Sequence, residues 1–195
     1  MFTEVTTRQG FTLNLDLNPR SDEPDFEQRW IDRWSELREG KFSDAYLDSL
    51  IDGYAAELSE AQGRNFSRWS AKSPRGGSHA SEVSILKTWL DQHTAWIDGQ
   101  FLPLADLSPG TGQVSAGSLV SVNSGGNSAY YTTDGSDPRL PGGGISPAAS
   151  LVSGGGIIIN AAADVVVRTR QGVTWGPPAR EIYVIDVPAS SANLM

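Results

Sequence analysis

Tryptophan and glycine occupy opposite ends of this chain, and that segregation limits its architecture more than any single motif does. Trp30, Trp34, Trp69, Trp89 and Trp96 precede residue 100, and only Trp175 follows. Glycine gathers later, in Gly125-Gly126, Gly142-Gly143-Gly144 and Gly154-Gly155-Gly156. Large rings at helical spacing build packed helices, whereas glycines between short apolar runs build turns between strands. The change falls at Leu102-Pro103-Leu104-Ala105-Asp106-Leu107-Ser108-Pro109-Gly110, where two prolines and a glycine interrupt regular structure. With 195 residues the chain has room for one large or two small domains.

Before the change, three helices are expected. The first starts near Asp25, where Phe26, Trp30, Trp34 and Leu37 fall on one stripe, and Gly40 is placed to end it. Ser43 caps the second, whose buried face is Tyr46, Leu47, Leu50, Ile51, Tyr54 and Leu58; it runs toward Gly63 and resumes through Asn65 to Trp69. Lys72 to His79 has loop composition. Ser81 caps the third helix, Glu82 favours its first turn, and Val83, Leu86, Leu90, Ile97 and Phe101 form its stripe. The helical tryptophans are expected to be mostly core. Arg33, Arg38, Arg64 and Arg68 are expected to meet Asp32, Glu36 and Glu60 on helix surfaces. Residues 1–24 are polar and interrupted by proline, and are expected to be irregular, with an extended stretch at Phe11 to Leu17.

After the change, Tyr130-Tyr131-Thr132-Thr133 reads as a strand that stops in Asp134-Gly135-Ser136-Asp137-Pro138-Arg139. Gly135 can take φ > 0, Asp and Ser can bond local backbone, and Pro138 fixes its own φ. Gln113 to Val122 alternates as a strand pair. Ala148–Val152, Ile157–Ile159, Val165–Arg168 and Ile182–Ile185 are further short strands. Such spacing with glycine turns indicates an antiparallel sandwich.

Two resemblances sharpen this. Arg33-Trp34-Ser35-Glu36-Leu37-Arg38, Ile51-Asp52, Glu60-Ala61-Gln62, Arg64-Asn65 and Arg68-Trp69 open the first. Glu82-Val83, Leu86-Lys87-Thr88-Trp89-Leu90, Ala95-Trp96-Ile97-Asp98 and Gln100-Phe101-Leu102 complete it. Together they resemble the C-terminal helical part of the CotH kinase family, the spore-coat-protein-H-like proteins, over roughly residues 25–103. His93 departs from the arginine more often found there. In the second resemblance, Tyr130 to Arg139, with Arg168 and Trp175, makes residues 110–187 similar to the immunoglobulin-like domain at the C-terminus of chitobiase and hexosaminidases, also described as fibronectin-III-associated. The expected organisation is an irregular segment 1–24, a three-helix unit 25–103, a linker 104–109, an immunoglobulin-like antiparallel β-sandwich 110–187 and a tail 188–195: an α+β chain.

Catalytic chemistry finds little support in the residues. Phosphoryl transfer needs a phosphate cradle, carboxylates for Mg²⁺ and a group to orient the nucleophile. No Gly-x-x-x-x-Gly-Lys-Ser/Thr sequence occurs, and Gly142-Gly143-Gly144 leads toward a strand rather than a helix. The resemblance implies that kinase-like lobes and nucleotide-binding residues lie upstream of the matched helices. Asp134, Ser136 and Asp137 are close oxygen donors, but Pro138 and Arg139 follow, and turn formation explains them better than Ca²⁺. His79 and His93 lack partners at metal-ligand spacing. Ser115 has the wrong spacing for a nucleophile elbow. No catalytic, cofactor-binding or metal-ligating residue is therefore assigned, and no cofactor is expected.

Exposed aromatic rings stack on sugars, which makes Trp175 and Tyr131 the candidate glycan-binding residues. Yet Tyr130 and Tyr131 face opposite sides of a strand, so at least one belongs to the core. Net charge is −8 and the pI is near 4.7, which argues against nucleic-acid partners. No apolar run approaches the roughly 18 residues of a membrane span, and no signal peptide follows Met1. Cysteine is absent. The expected function is a non-catalytic structural or interaction module of a CotH-like bacterial protein. The resemblance implies an extracellular or cell-envelope location, with polysaccharide or an upstream kinase-like domain as partner. The alternatives are a carbohydrate-binding accessory module and an atypical kinase. If upstream lobes cover the helices, apolar surface is expected to lie open around Trp30, Trp34 or Trp89.

Overall fold

The computed structural model describes residues 24–69 and 77–186, and its architecture is α+β. The expectations for residues 1–23, for most of the Lys72–His79 loop and for the tail fall outside the described residues. Among the described residues there are four helices: α1 (Pro24–Arg38), α2 (Asp44–Glu57), α3 (Ser59–Arg68) and α4 (His79–Asp98). The expected second helix is two, divided at Leu58, whose amide still donates to the Tyr54 carbonyl. Ser43 caps α2 by accepting from the Tyr46 amide at 3.3 Å. The cap of α4 is Ser78, which accepts from the Ser81 amide at 3.1 Å, so the cap lies three residues before the expected serine.

Eight strands follow in two sheets. β1 (Asp106–Ser108), β3 (Ser118–Asn123) and β6 (Gly156–Ile159) form one, in the order β1-β3-β6. The other contains β2 (Gly112–Val114), β4 (Ser128–Thr132), β5 (Ser150–Leu151), β7 (Ala163–Gln171) and β8 (Thr174–Ile185), in the order β2-β8-β7-β4-β5. All pairings are antiparallel except β2 with β8. Both sheets contribute to one apolar cluster. Leu107, Val120, Ile157 and Ile159 come from the smaller sheet, and Val114, Ala129, Val165, Val167 and Tyr183 from the larger. Period-two alternation then places Val166, Arg168 and Arg170 on the opposite face of β7.

β8 is longer than expected. It takes in Trp175-Gly176-Pro177-Pro178, upstream of the expected strand Ile182–Ile185. Its prolines are tolerated because β2 pairs only with Tyr183–Ile185, leaving Trp175–Pro178 bonded on the β7 side alone. Gly176 is required there. A Cβ would clash with the Thr169 hydroxyl and lie 3.1 Å from the Pro103 carbonyl oxygen. That close approach lets the Pro103 carbonyl accept from Thr169 Oγ1 at 2.7 Å, which fixes where the helical segment enters the sheets.

The helices do not form a separate bundle. α1 lies against β8 and against the short 3-10 turn Pro141–Gly143, while α2 packs on α4. Ile31 is the one buried apolar side chain among the described helical residues.

Candidate functional site: the helix–sheet junction and the open helical face

Two features of the described residues bear on function. One is a polar junction that fastens α1 to the larger sheet. The other is the apolar surface that the helices leave open.

The junction centres on Arg168, whose side chain is 3% exposed. Its Nη1 and Nη2 donate to the two carboxylate oxygens of Asp32 at 2.7 and 2.8 Å. Nε and Nη2 donate to the two oxygens of Asp137, both at 2.7 Å, and Nη1 also reaches the Gly176 carbonyl at 2.9 Å. Burial works against the guanidinium charge, but the hydrogen bonds and charges of Asp32 and Asp137 outweigh it and raise the Arg168 pKa. Gln28, also buried, donates to Asp32 at 2.8 Å and to the Gly176 carbonyl at 3.3 Å. A second tie lies about two turns before Asp32 in α1. Asp25 pairs with Arg139 at 2.7 Å and accepts from the Gly142 amide at 2.9 Å. The Gly142 hydrogen bond and the Arg139 guanidinium hold the Asp25 carboxyl below its ordinary pKa.

These contacts account for the turn after β4. Asp134 Oδ1 accepts from the Ser136 amide at 3.0 Å and its hydroxyl at 2.5 Å, forming an Asx turn. Asp137 caps the Arg139 amide at 2.8 Å while holding Arg168. Gly135 has φ +78, and a Cβ there would lie 2.6 Å from Asp164 Oδ2. The Gly142 amide, one donor in the glycine run, already serves the carboxylate of Asp25.

The expected glycan residues do not come together. Tyr131 is partly buried against the inter-sheet core, whereas Trp175 lies on the other face of the sheet with Tyr130. Trp175 is 2% exposed, and its Nε1 donates to the Gly143 carbonyl at 2.8 Å. It therefore offers no open ring face for a sugar.

The helices reverse another expectation. Trp30, Trp69, Trp89 and Trp96 are about half exposed, at 48, 57, 54 and 57%. α2 and α3 contain no buried residue, and the one buried residue of α4 is Thr94. The physical reason is that α2, α3 and α4 lie against one another and not against the sheets. On α4 the stripe Val83, Lys87, Leu90, Thr94 and Ile97 is the less exposed one, and the adjacent stripe Leu86, Trp89, His93 and Trp96 remains open. His93 stacks between Trp89 and Trp96, at centroid distances of 4.7 and 6.1 Å. On α2, Tyr46, Leu50, Tyr54 and Leu58 recur every fourth residue in the open. A shallow depression of about 430 Å³ lies among Tyr46, Ser49, Leu50, Gly53, Tyr54 and Glu57. On α1, Phe26 and Trp30 are exposed, and Trp30 meets Phe101 edge-on.

Of the expected surface pairs, Arg33–Glu36 (2.5 Å) and Arg64–Glu60 form. Arg38 instead bridges elements, reaching Asp44 at 2.8 Å and Asp98 at 3.1 Å, and Asp98 also accepts from Trp34 Nε1 at 2.7 Å. Arg68 lies over the Trp69 ring. Among the described residues no group of three or more His, Asp or Glu could hold a metal, and no helix is long and apolar enough to cross a membrane.

A family model described as CotH kinase protein matches residues 19–97, which takes in α1 through most of α4. In parallel comparisons no curated protein and no solved structure matched. The matched segment carries both the α1 side of the junction and the open helical stripes.

Proposed function

We propose that this chain is the C-terminal portion of a CotH-like protein and serves as a structural and interaction module rather than as the catalytic unit. The open apolar surface of the matched helices carries this reading. A water-soluble helix does not ordinarily leave alternating Tyr, Leu and Trp uncovered along two adjacent faces, and patches of this kind mark interfaces. The occupant is a kinase-like lobe, which covers Tyr46, Leu50 and Tyr54 on α2 and Leu86, Trp89 and Trp96 on α4. The β region is the accessory part, of the chitobiase C-terminal, fibronectin-III-associated, immunoglobulin-like type. Its two sheets around one cluster, with a tight Asx turn after β4, agree with that type. Such modules accompany secreted and cell-surface proteins, which supports a cell-envelope location.

The test is direct binding of the full chain to the purified kinase-like lobe of a CotH kinase protein, measured calorimetrically. The expected outcome is saturable binding in the micromolar range or tighter, weakened at least about tenfold in a Tyr54→Ser/Trp89→Ser double variant that keeps its thermal midpoint. Absence of binding at about 100 μM would overturn the proposal. Saturable, Mg²⁺-dependent stabilisation of the chain alone by ATP would overturn its non-catalytic part.

A further inference from the structure

The helices meet the sheets unevenly. α1 lies along β8 and the Pro141–Gly143 turn and is held by the Arg168 and Asp25 ties, so α1 and the two sheets form one body. α2, α3 and α4 lie against one another and not against the sheets. Two chain crossings join this second unit to the body. One is the turn between Arg38 and Asp44. The other runs from Gly99 to Pro103, whose carbonyl is fixed to Thr169.

The polar ties between the two parts converge on one arginine. Arg38 is the last residue of α1, and its side chain is 20% exposed. Its Nη1 donates to the Phe42 carbonyl and, at 2.8 Å, to Asp44 at the start of α2. Its Nε donates at 3.1 Å to Asp98 at the end of α4, and the other oxygen of Asp98 accepts from Trp34 of α1. One guanidinium therefore joins the ends of three helices. The apolar contacts beside it are between rings: Trp34 meets Phe42 and Trp30 meets Phe101, at centroid distances of 5.8 and 5.1 Å. Ring contacts of this kind tolerate sliding, whereas hydrogen bonds to a planar guanidinium fix direction. Segments with few buried apolar contacts also lie at the low end of local stability, and Thr94 is the one buried residue among the described residues of α2, α3 and α4.

We propose that Arg38 is a latch that sets the angle between the α2–α4 unit and the α1–sheet body, and that its release lets the unit swing as a whole on the two crossings. The turn after α1 is closed by its own backbone bond, from the Phe42 amide to the Leu37 carbonyl at 2.8 Å. That places one pivot at Ser43, whose backbone is extended, and the other at Leu102, just before the anchored Pro103. Hinges of this type need only a few residues at element ends. The swing turns the open stripes of α2 and α4 relative to the β region, and it needs no covering lobe.

The absence of cysteine allows spin labels to be placed at chosen sites of the full chain. Ala56→Cys on α2 with Val173→Cys at the β7–β8 tip reports the angle between the parts, and Ala56→Cys with Ser84→Cys on α4 reports the unit itself; all three positions are exposed. Double electron–electron resonance is expected to give a single narrow distance distribution for each pair while Arg38 is intact. Arg38→Gln and Asp98→Ala should each broaden or split the first distribution and leave the second narrow. Should the glutamine variant fail to fold, the Asp98 variant decides. A first distribution that is already broad with Arg38 intact, or unchanged in either folded variant, would overturn the proposal. So would broadening of the second pair along with the first, which would mean that the helices melt instead of swinging.

Discussion

Arg168 holds two carboxylates from two different parts of the chain, and its own removal is the substitution with the largest expected cost. Arg168→Ala leaves Asp32 and Asp137, whose side chains are 28 and 43% exposed, facing each other without their shared cation. A loss of about 2–3 kcal/mol in urea unfolding is expected, because both carboxylates and the Gly176 carbonyl lose a charged donor. Gly176→Ala acts through space rather than charge. Its methyl group meets Thr169 and the Pro103 carbonyl, so a loss of roughly 1–3 kcal/mol is expected by the same measurement. Tyr183 gives a pH signature. Its hydroxyl donates to the Pro109 carbonyl at 2.7 Å, and burial, aided by the Glu181 charge, pushes its pKa up to about 12. The folded state thus favours the neutral phenol. That stabilisation is complete below the ordinary value of 10 and is lost as pH rises through about 12. Tyr183→Phe should flatten the stability profile across this alkaline window.

At the scale of elements, helices that bury little against the sheets depend on their ends. Ser43→Ala and Ser78→Ala should each lower stability by about 1 kcal/mol. The change should appear as reduced helical circular dichroism before the sheets melt, and coincident loss of both signals would contradict it. How far these elements were legible varies with the distance over which their contacts act. Ser43 before Asp44-Ala45-Tyr46 is a local signal, and so is the turn at Asp134–Arg139. The division of α2 from α3 at Leu58 leaves no such mark, because Leu58 fits either helix. The seat of α1 was not legible either. Its partners lie 117 and 136 residues away, at Gly142 and Arg168, and are polar, so periodicity carries no trace of them. Aromatic spacing showed which helical side chains are apolar but not whether anything covers them, and four of the five tryptophans expected to be core prove about half exposed. The two glycan candidates, Trp175 and Tyr131, were separated by the alternation of the strand faces.

Across the whole molecule, several carboxylates are held below their ordinary pKa. The Gly142 amide and Arg139 act on Asp25, Arg38 acts on Asp44, Ser136 acts on Asp134 and Arg180 acts on Asp164. A depressed folded pKa means that the unfolded chain binds protons first. Stability should therefore be fully present above the ordinary value of 3.8 and fall as pH drops through the lower folded values. Urea midpoints measured from neutral pH downward should decline in that acid range, and Asp25→Asn should lessen the decline. The parallel pairing of β2 with β8 has a mechanical consequence. Gly112, Gln113 and Val114 run alongside Tyr183, Val184 and Ile185, and the Asp186 amide closes onto the Val114 carbonyl at 2.8 Å. Tension that draws residue 112 one way and residue 186 the other slides these strands past each other instead of peeling them apart. The bonds between them then share the load and fail together, so this short ladder is placed to act as a latch under force.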